Sequence, residues 1–240
     1  MGHFSGAGSS AKADRRRMLR IDGRKALPVD DAERGRATDL VERHASGSER
    51  PEFFEVLDVA RRIAGNGRLG VERYVVLVRG KGAPDGHYLI DVKQALPSAL
   101  ASALRLPQPD WAHDAQRVVS LAQRCQGVPP AFLHAVQRGK RSYVLRDLQP
   151  TADRVAFDEG KPSAERLHSL MQSLGRCTAW AHLRAGGRQG LANADELIAF
   201  GHDERWPRRL RAASRECLRR VQADWETCAE AYDDGAFVAS

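Results

Sequence analysis

Three runs rich in β-branched and aromatic residues lie within residues 54–94, and they constrain the fold of this chain more than any other feature. A glycine-rich loop separates the first run from residues 71–78, and a turn with Pro84 and Gly86 precedes the third, residues 87–94. Such residues without a helical apolar period are typical of strands. Pro fixes φ and Gly accepts positive φ in the turn. The stretch therefore predicts strand, loop, strand, turn and strand.

The glycine loop has the spacing G-x-G-x-x-G at Gly65, Gly67 and Gly70. Glycines allow backbone amides to approach phosphate oxygens without a Cβ in the way. A dinucleotide-binding fold needs a helix directly after such a loop, whereas residues 71–78 predict a strand. The pattern favours a phosphate clamp between two strands, with an ordinary glycine-rich hairpin loop as the alternative.

Lys93 lies near the end of the third predicted strand, as the lysine does in the V-A-I-K strand of protein kinases. In that arrangement the glycine loop covers nucleotide phosphates and the lysine neutralises them. An exposed strand lysine with no ligand is the alternative.

One helix and two further strands follow. Asp114 suits an N-cap, and apolar residues repeat at helical spacing up to Gly127. Two strand-like runs, 132–136 and 142–146, bracket a hairpin turn around Gly139. Three strands, one helix and two strands are the order of a protein kinase small lobe, in which Asp147 to Pro150 would lie at the hinge and face the adenine. The predicted fold class is α+β, with a five-stranded antiparallel sheet plus one helix; an unrelated α+β domain is the alternative.

The flanking segments differ from this centre. Residues 1–50 predict a flexible basic lead-in, with a surface helix over Asp30 to His44 that Gly35 and the serines after it break up. Residues 51–150 predict the small lobe. Residues 151–240 predict a helical region, with one helix capped by Ser163 and a last one from about Trp206 to Asp233, each with an apolar stripe. We expect the stripe of the last helix, from Trp206 to Tyr232, to be a packing surface.

Composition narrows the function classes. The 240 residues carry a net charge of +7, and no run of 18 apolar residues or signal peptide is present, which predicts a cytoplasmic protein without a membrane partner. The basic run from Lys12 to Lys25 lacks interleaved aromatic residues, so we do not expect nucleic acid as a partner. Four cysteines stand singly, and no metal site is predicted.

Several sequence blocks together carry a resemblance to a family. They are Ala64 to Gly70 with Arg73 and Tyr74, Val92 to Ala95, Gln116 to Val119, Val144 to Pro150, Ala179 to Arg184, and Gly187 to Gly190. In these blocks the chain resembles the C-terminal half of the family known as domain of unknown function 2252 (DUF2252). The blocks span most of residues 54–201, which makes the match more specific than any one motif.

The resemblance implies a relative of protein kinases and aminoglycoside phosphotransferases with its parts in permuted order. It implies ATP with magnesium as ligand, Gly65, Gly67 and Gly70 over the phosphates, and Lys93 in contact with them. The chain lacks the G-D-x-H, H-R-D and D-F-G motifs, so no catalytic residue is assigned. We expect a nucleotide-binding half that is inactive alone, either as a truncated product or with another chain supplying the catalytic half. A non-catalytic regulatory module and a basic nucleic-acid-binding protein are the competing functions.

Overall fold

The computed structural model describes residues 17–64, 70–83, 85–104, 108–150, 155, 163–188 and 191–237. These residues form six β-strands and five α-helices, and the chain divides into two compact units, Met1–Arg184 and Ala185–Ser240. The elements in chain order are β1 (Ala26–Leu27), α1 (Asp31–Ala45), a 3-10 turn (Pro51–Phe54), β2 (Val56–Arg62), β3 (Arg73–Val78), β4 (Tyr88–Ala95), α2 (Asp114–Cys125), β5 (His134–Arg138), β6 (Arg141–Asp147), α3 (Ala164–Ala185), α4 (Ala194–His202) and α5 (Arg205–Asp233).

The six strands form one antiparallel sheet in the order β1-β2-β3-β4-β6-β5. The prediction of an α+β fold with an antiparallel sheet is confirmed. The predicted count of five strands is wrong, because β1 adds a sixth strand at the edge next to β2. Its two residues pair with Arg61 and Arg62, and a run of two residues is too short to show an alternating pattern.

Helix α1 covers one side of the sheet, which we call the α1 face. Side chains from α1 and the 3-10 turn form the main core with alternate residues of the central strands. The fully buried members include Leu40 and Val41 from the helix, Tyr74 and Val76 from β3, and Ile90, Val92 and Leu145 from β4 and β6. Because side chains alternate along a strand, Asp91 and Lys93 lie on the opposite side.

Helix α1 differs from the broken surface helix expected over Asp30 to His44. It is continuous over 15 residues, and a capping box between Asp30 and Glu33 satisfies its first backbone amides. Gly35 does not break the helix, because glycine costs a helix only about 1 kcal/mol. Ala37, Leu40 and Val41 are fully buried, and their burial offsets that cost.

Helix α2 covers part of the other side, which we call the α2 face. The Ser142 hydroxyl on β6 accepts a hydrogen bond from the Ala115 backbone N–H at 3.1 Å, which fixes the first turn of the helix over the sheet. His113 rather than Asp114 caps the helix, its Nδ1 accepting from the Gln116 N–H. The predicted helix is therefore present, and its N-cap is one residue before the predicted one.

The turn between β3 and β4 requires glycine at two places. Gly80 has φ +61°, and a Cβ there would lie 2.1 Å from the Gly86 carbonyl oxygen. At Gly86 a Cβ would lie 2.6 Å from the Gly82 carbonyl oxygen. The backbone crosses itself closely here, with the Lys81 N–H donating to the Gly86 carbonyl at 2.7 Å. This turn sets the register of β3 against β4.

The C-terminal region is helical, as predicted, but it contains a helix that the sequence analysis missed. Helix α4 begins after a capping box between Asn193 and Glu196. Helix α5 carries the predicted apolar stripe, yet no residue of it is buried, and Trp225 is 69% exposed. Within the described residues the stripe is therefore not a buried packing surface, although the Trp206 ring stacks on the Phe200 ring with 5.5 Å between their centroids.

Candidate functional site

Lys93 lies near the end of β4 on the α2 face, opposite Arg73 on β3 and Val144 on β6. Arg73 is the first residue of the strand that follows the glycine loop. The sheet register thus brings the predicted lysine beside the strand that the loop enters. Lys93 is partly buried.

The glycine loop connects β2 to β3. Gly65 and Gly67 lie outside the described residues, and Gly70 has φ +83°. A positive φ favours glycine, so this position has a backbone reason for glycine as well as the predicted role near phosphate. The Arg73 guanidinium donates to the carbonyl of Ala64, just before the loop, at 3.3 Å.

Three arginines surround one buried carboxylate on the α2 face. Asp91, two residues before Lys93, has a side chain only 1% exposed. Arg73 binds it in bidentate fashion, Nε to Oδ1 at 2.8 Å and Nη2 to Oδ2 at 2.7 Å. Arg62 donates to Oδ1 at 2.9 Å, and Arg146 donates to Oδ2 at 3.4 Å. We call Arg62, Arg73, Arg146 and Asp91 the arginine cluster.

The arginine cluster holds its carboxylate ionised. Burial acts to raise the pKa of Asp91, but the hydrogen bonds and charges of Arg73 and Arg62 outweigh it, so the pKa lies below its ordinary value. The four side chains of the cluster have a formal charge of +2, and Lys93 lies on the same face of the sheet.

A second polar group lies on the α1 face, directly after the loop. Glu72 accepts from the Tyr143 hydroxyl at 2.5 Å and from Arg141 at 2.8 Å, and Arg36 lies 3.5 Å away. Burial, together with the hydrogen bond to Glu72 and its negative charge, raises the pKa of Tyr143 to about 12. Since the backbone of Glu72 also pairs with Gln94, this group anchors the loop's exit to β4 and β6.

Asp147 ends β6 and pairs with Ile90, so strand alternation places it on the α1 face, away from Lys93. Burial raises the pKa of its carboxyl. The next residue, Leu148, donates its N–H to the Leu89 carbonyl at 2.9 Å, which continues the pairing past the strand end. The structure therefore does not bring the Asp147 side chain together with Lys93.

Sequence reasoning missed the arginine cluster because its members lie on three different strands besides β4. One signal was available: Asp91 stands between the apolar residues Ile90 and Val92. A carboxylate in the middle of a central strand needs a buried partner. Which arginines supply that partner depends on strand register, which one sequence does not state.

Among the described residues, no group of three or more His, Cys, Asp or Glu could hold a metal ion. In the same part of the chain, no helix combines the length and apolar character needed to cross a membrane.

The fold and the site define an α+β protein whose antiparallel sheet carries a cationic cluster on one face, beside a glycine-rich loop. Comparison with protein families identifies the family of this chain. The family model described as "Uncharacterized protein conserved in bacteria (DUF2252)" matches residues 3–231, and the chain belongs to this family. No curated protein and no solved structure matches the chain.

Proposed function

We propose that this chain is the nucleotide-binding half of a kinase-like phosphotransferase. Gly65, Gly67 and Gly70 cover the phosphates of ATP in this proposal, and Lys93 contacts them. The observation that carries the proposal is the position of Lys93 on the α2 face, directly opposite the first residue of the strand that follows the loop. A lysine at the loop's exit can neutralise phosphates that the loop covers.

The running order of elements supports the proposal. Strands β2, β3 and β4, helix α2, and strands β5 and β6 follow one another in the order expected of a kinase small lobe. Helix α2 lies on the same face as Lys93, as its hydrogen bond to Ser142 indicates. Asp147, at the end of β6, is proposed to lie near the adenine at the hinge. Because its side chain lies on the α1 face, we expect Asp147 to contribute to the adenine site through its backbone.

Activity of this chain alone is not part of the proposal. ATP supplies a transferable phosphoryl group, and its transfer needs a carboxylate to position the acceptor. The motifs that carry such carboxylates are absent from the sequence, so we propose a second chain that supplies the catalytic half. Magnesium is proposed to accompany the nucleotide through its phosphates.

A thermal-shift titration with magnesium-ATP tests the nucleotide site. A ligand that binds only the folded state stabilises it by about 2.7 kcal/mol at a hundred times its Kd. We expect a rising Tm in the wild type, a loss of the shift in Lys93→Ala, and no loss in Lys140→Ala. Lys140 is an exposed lysine in the β5–β6 turn, so it controls for the removal of one positive charge. An unchanged shift in Lys93→Ala would contradict the proposal.

One observation favours a non-catalytic binding module as the second candidate. The V-A-I-K pattern has alanine two residues before the lysine, whereas this chain has Asp91 there, bound to arginines. Asp91 and its arginines make the surface beside Lys93 polar, whereas the alanine of the V-A-I-K pattern makes the corresponding surface of kinases apolar. This candidate predicts ligand binding without phosphate release, even after a chain bearing the catalytic motifs is added; measurable release would exclude it.

A further inference from the structure

The arginine cluster contains more positive charge than its carboxylate needs. Arg62 and Arg73 already give Asp91 three hydrogen bonds of 2.7–2.9 Å that reach both oxygens. Arg146 adds one long contact of 3.4 Å. Its side chain is 47% exposed, against 14% for each of the other two arginines. The third guanidinium is therefore at the solvent side of the cluster and is weakly engaged.

We propose that the arginine cluster is a binding site for a phosphate chain, with Arg146 as the residue that contacts the anion from the solvent side. The proposal goes beyond the nucleotide site, because it requires neither the glycine loop nor Lys93. The two sites share the α2 face, since Asp91 and Lys93 are two residues apart on β4, about 7 Å along the strand.

The chemistry of the residues points to phosphate. A guanidinium group is planar, always charged, and presents its N–H donors in a fork that matches two oxygens of a phosphate. Within the described part of the chain, Asp91 is the one hydrogen-bond or ion-pair partner of the Arg146 side chain. Its two terminal nitrogens can therefore donate to a ligand, while Arg62 and Arg73 supply positive charge from beneath.

Stability alone does not account for the third arginine. Collecting guanidinium groups around one carboxylate adds repulsion between like charges, and a buried ion pair is often no more stabilising than apolar residues of similar volume. A polyanion at the solvent side would offset the formal charge of +2. A phosphate chain supplies several negative charges on oxygens that guanidinium N–H groups bind.

Isothermal titration calorimetry with inorganic pyrophosphate tests this site on the full chain. We expect binding to the wild type and at least about tenfold weaker binding to Arg146→Gln, the effect of losing a charge-assisted hydrogen bond. Arg138→Gln is the matched control. Its side chain is 42% exposed and is paired with Asp39 on the surface, so it loses the same charge at similar exposure and should bind as the wild type does.

Three results would overturn the proposal: no pyrophosphate binding to the wild type, unchanged affinity in Arg146→Gln, or equal weakening in Arg138→Gln, which would indicate only general attraction to a basic protein. Arg146→Lys keeps the charge without the fork, and we expect intermediate affinity. If Arg146→Gln fails to fold, the pyrophosphate affinity of Arg146→Lys tests the proposal instead.

The nucleotide site can fail independently of this one. If pyrophosphate binding does not depend on Arg146 but the magnesium-ATP shift depends on Lys93, the arginine site is wrong and the proposed function stands. If pyrophosphate binding depends on Arg146 and no ATP shift occurs, the reverse holds.

Discussion

Replacing Asp91 with asparagine would remove the negative charge that holds the arginine cluster together. Asparagine has nearly the same shape, so the change leaves the packing of β4 in place. It removes the carboxylate that both Arg62 and Arg73 bind, at positions where their side chains are only 14% exposed. Arg146 is half exposed and can turn towards water. We therefore assign no cost to the loss of its contact with Asp91.

The size of the effect follows from burial. Removing one partner of a buried ion pair costs about 3–5 kcal/mol, because the remaining charge is left uncompensated. The amide oxygen of asparagine still accepts one hydrogen bond, which places the expected loss near the lower limit, about 3 kcal/mol. With a urea dependence of about 2 kcal/mol per molar, the midpoint should fall by about 1.5 M.

Asp39→Asn is the matched control. Asp39 also binds two arginines, Arg43 at 3.0 Å and Arg138 at 2.8 Å, but its side chain is 33% exposed. Ion pairs of this kind contribute about 0–1 kcal/mol. The two carboxylates differ chiefly in burial, so the comparison isolates the desolvation of the arginines.

Because the chain divides into two compact units, a global signal would mix two transitions. Hydrogen exchange measured by mass spectrometry along a urea titration, on peptides covering β3 and β4, reports on the sheet alone. Equal destabilisation by Asp91→Asn and Asp39→Asn would refute the reasoning.

The same variant has a pH signature. The pKa of Asp91 is lowered in the folded protein, burial opposing and the arginines causing the shift. Its contribution to stability is therefore present above the unfolded pKa of about 3.9 and is lost as the pH falls through the folded value. The gap in stability between wild type and Asp91→Asn should be constant from pH 7 to pH 5 and should narrow below about pH 4.

Two further predictions concern stability, each read from urea midpoints of the sheet peptides. Gly80→Ala should destabilise by at least about 1 kcal/mol more than Gly82→Ala, because both have positive φ but only the first would push a Cβ into the Gly86 carbonyl; equal losses would contradict this. Burial, and secondarily the charge of His134, lowers the pKa of His44, so stability should be constant above about pH 6.5 and fall as the pH drops through the lowered value. His44→Phe should remove that part of the slope, and an unchanged slope would assign it to other groups.

Local patterns predicted most of the sheet. The runs around β3 and β4 contain β-branched residues at strand density, and Gly139 marks the β5–β6 turn with φ +58°, as a hairpin requires. Helix α1 is harder to predict because two of its four buried apolar residues are alanines, which contribute little to an apolar periodicity. Its capping residues, Asp30 and Glu33, do indicate where the helix begins.

The candidate site was only partly predictable, because one part of it follows from local sequence and the other from pairing between strands that are distant in sequence. Lys93 could be proposed from a short motif, since motif and strand are both local. The arginine cluster arises from pairing between β4 and β6, which places Arg146 opposite Asp91 although 55 residues separate them. No local pattern contains that pairing, and therefore Asp91 looked like an isolated polar residue in a strand.

Arg73 connects the cluster to the proposed nucleotide site. It binds both oxygens of Asp91, donates to the Ala64 carbonyl before the glycine loop, and lies opposite Lys93. The negative charge of Asp91 offsets the repulsion that Arg73 would otherwise exert on Lys93, and the same bidentate contact fixes the arginine at the base of the loop. A change at Asp91 should therefore affect two regions at once: the solvent side of Arg146 and the ends of the loop. If magnesium-ATP binds as proposed, Asp91→Asn should weaken it without any contact between Asp91 and the nucleotide. Full retention of ATP affinity in a folded Asp91→Asn protein would show that the two sites are independent.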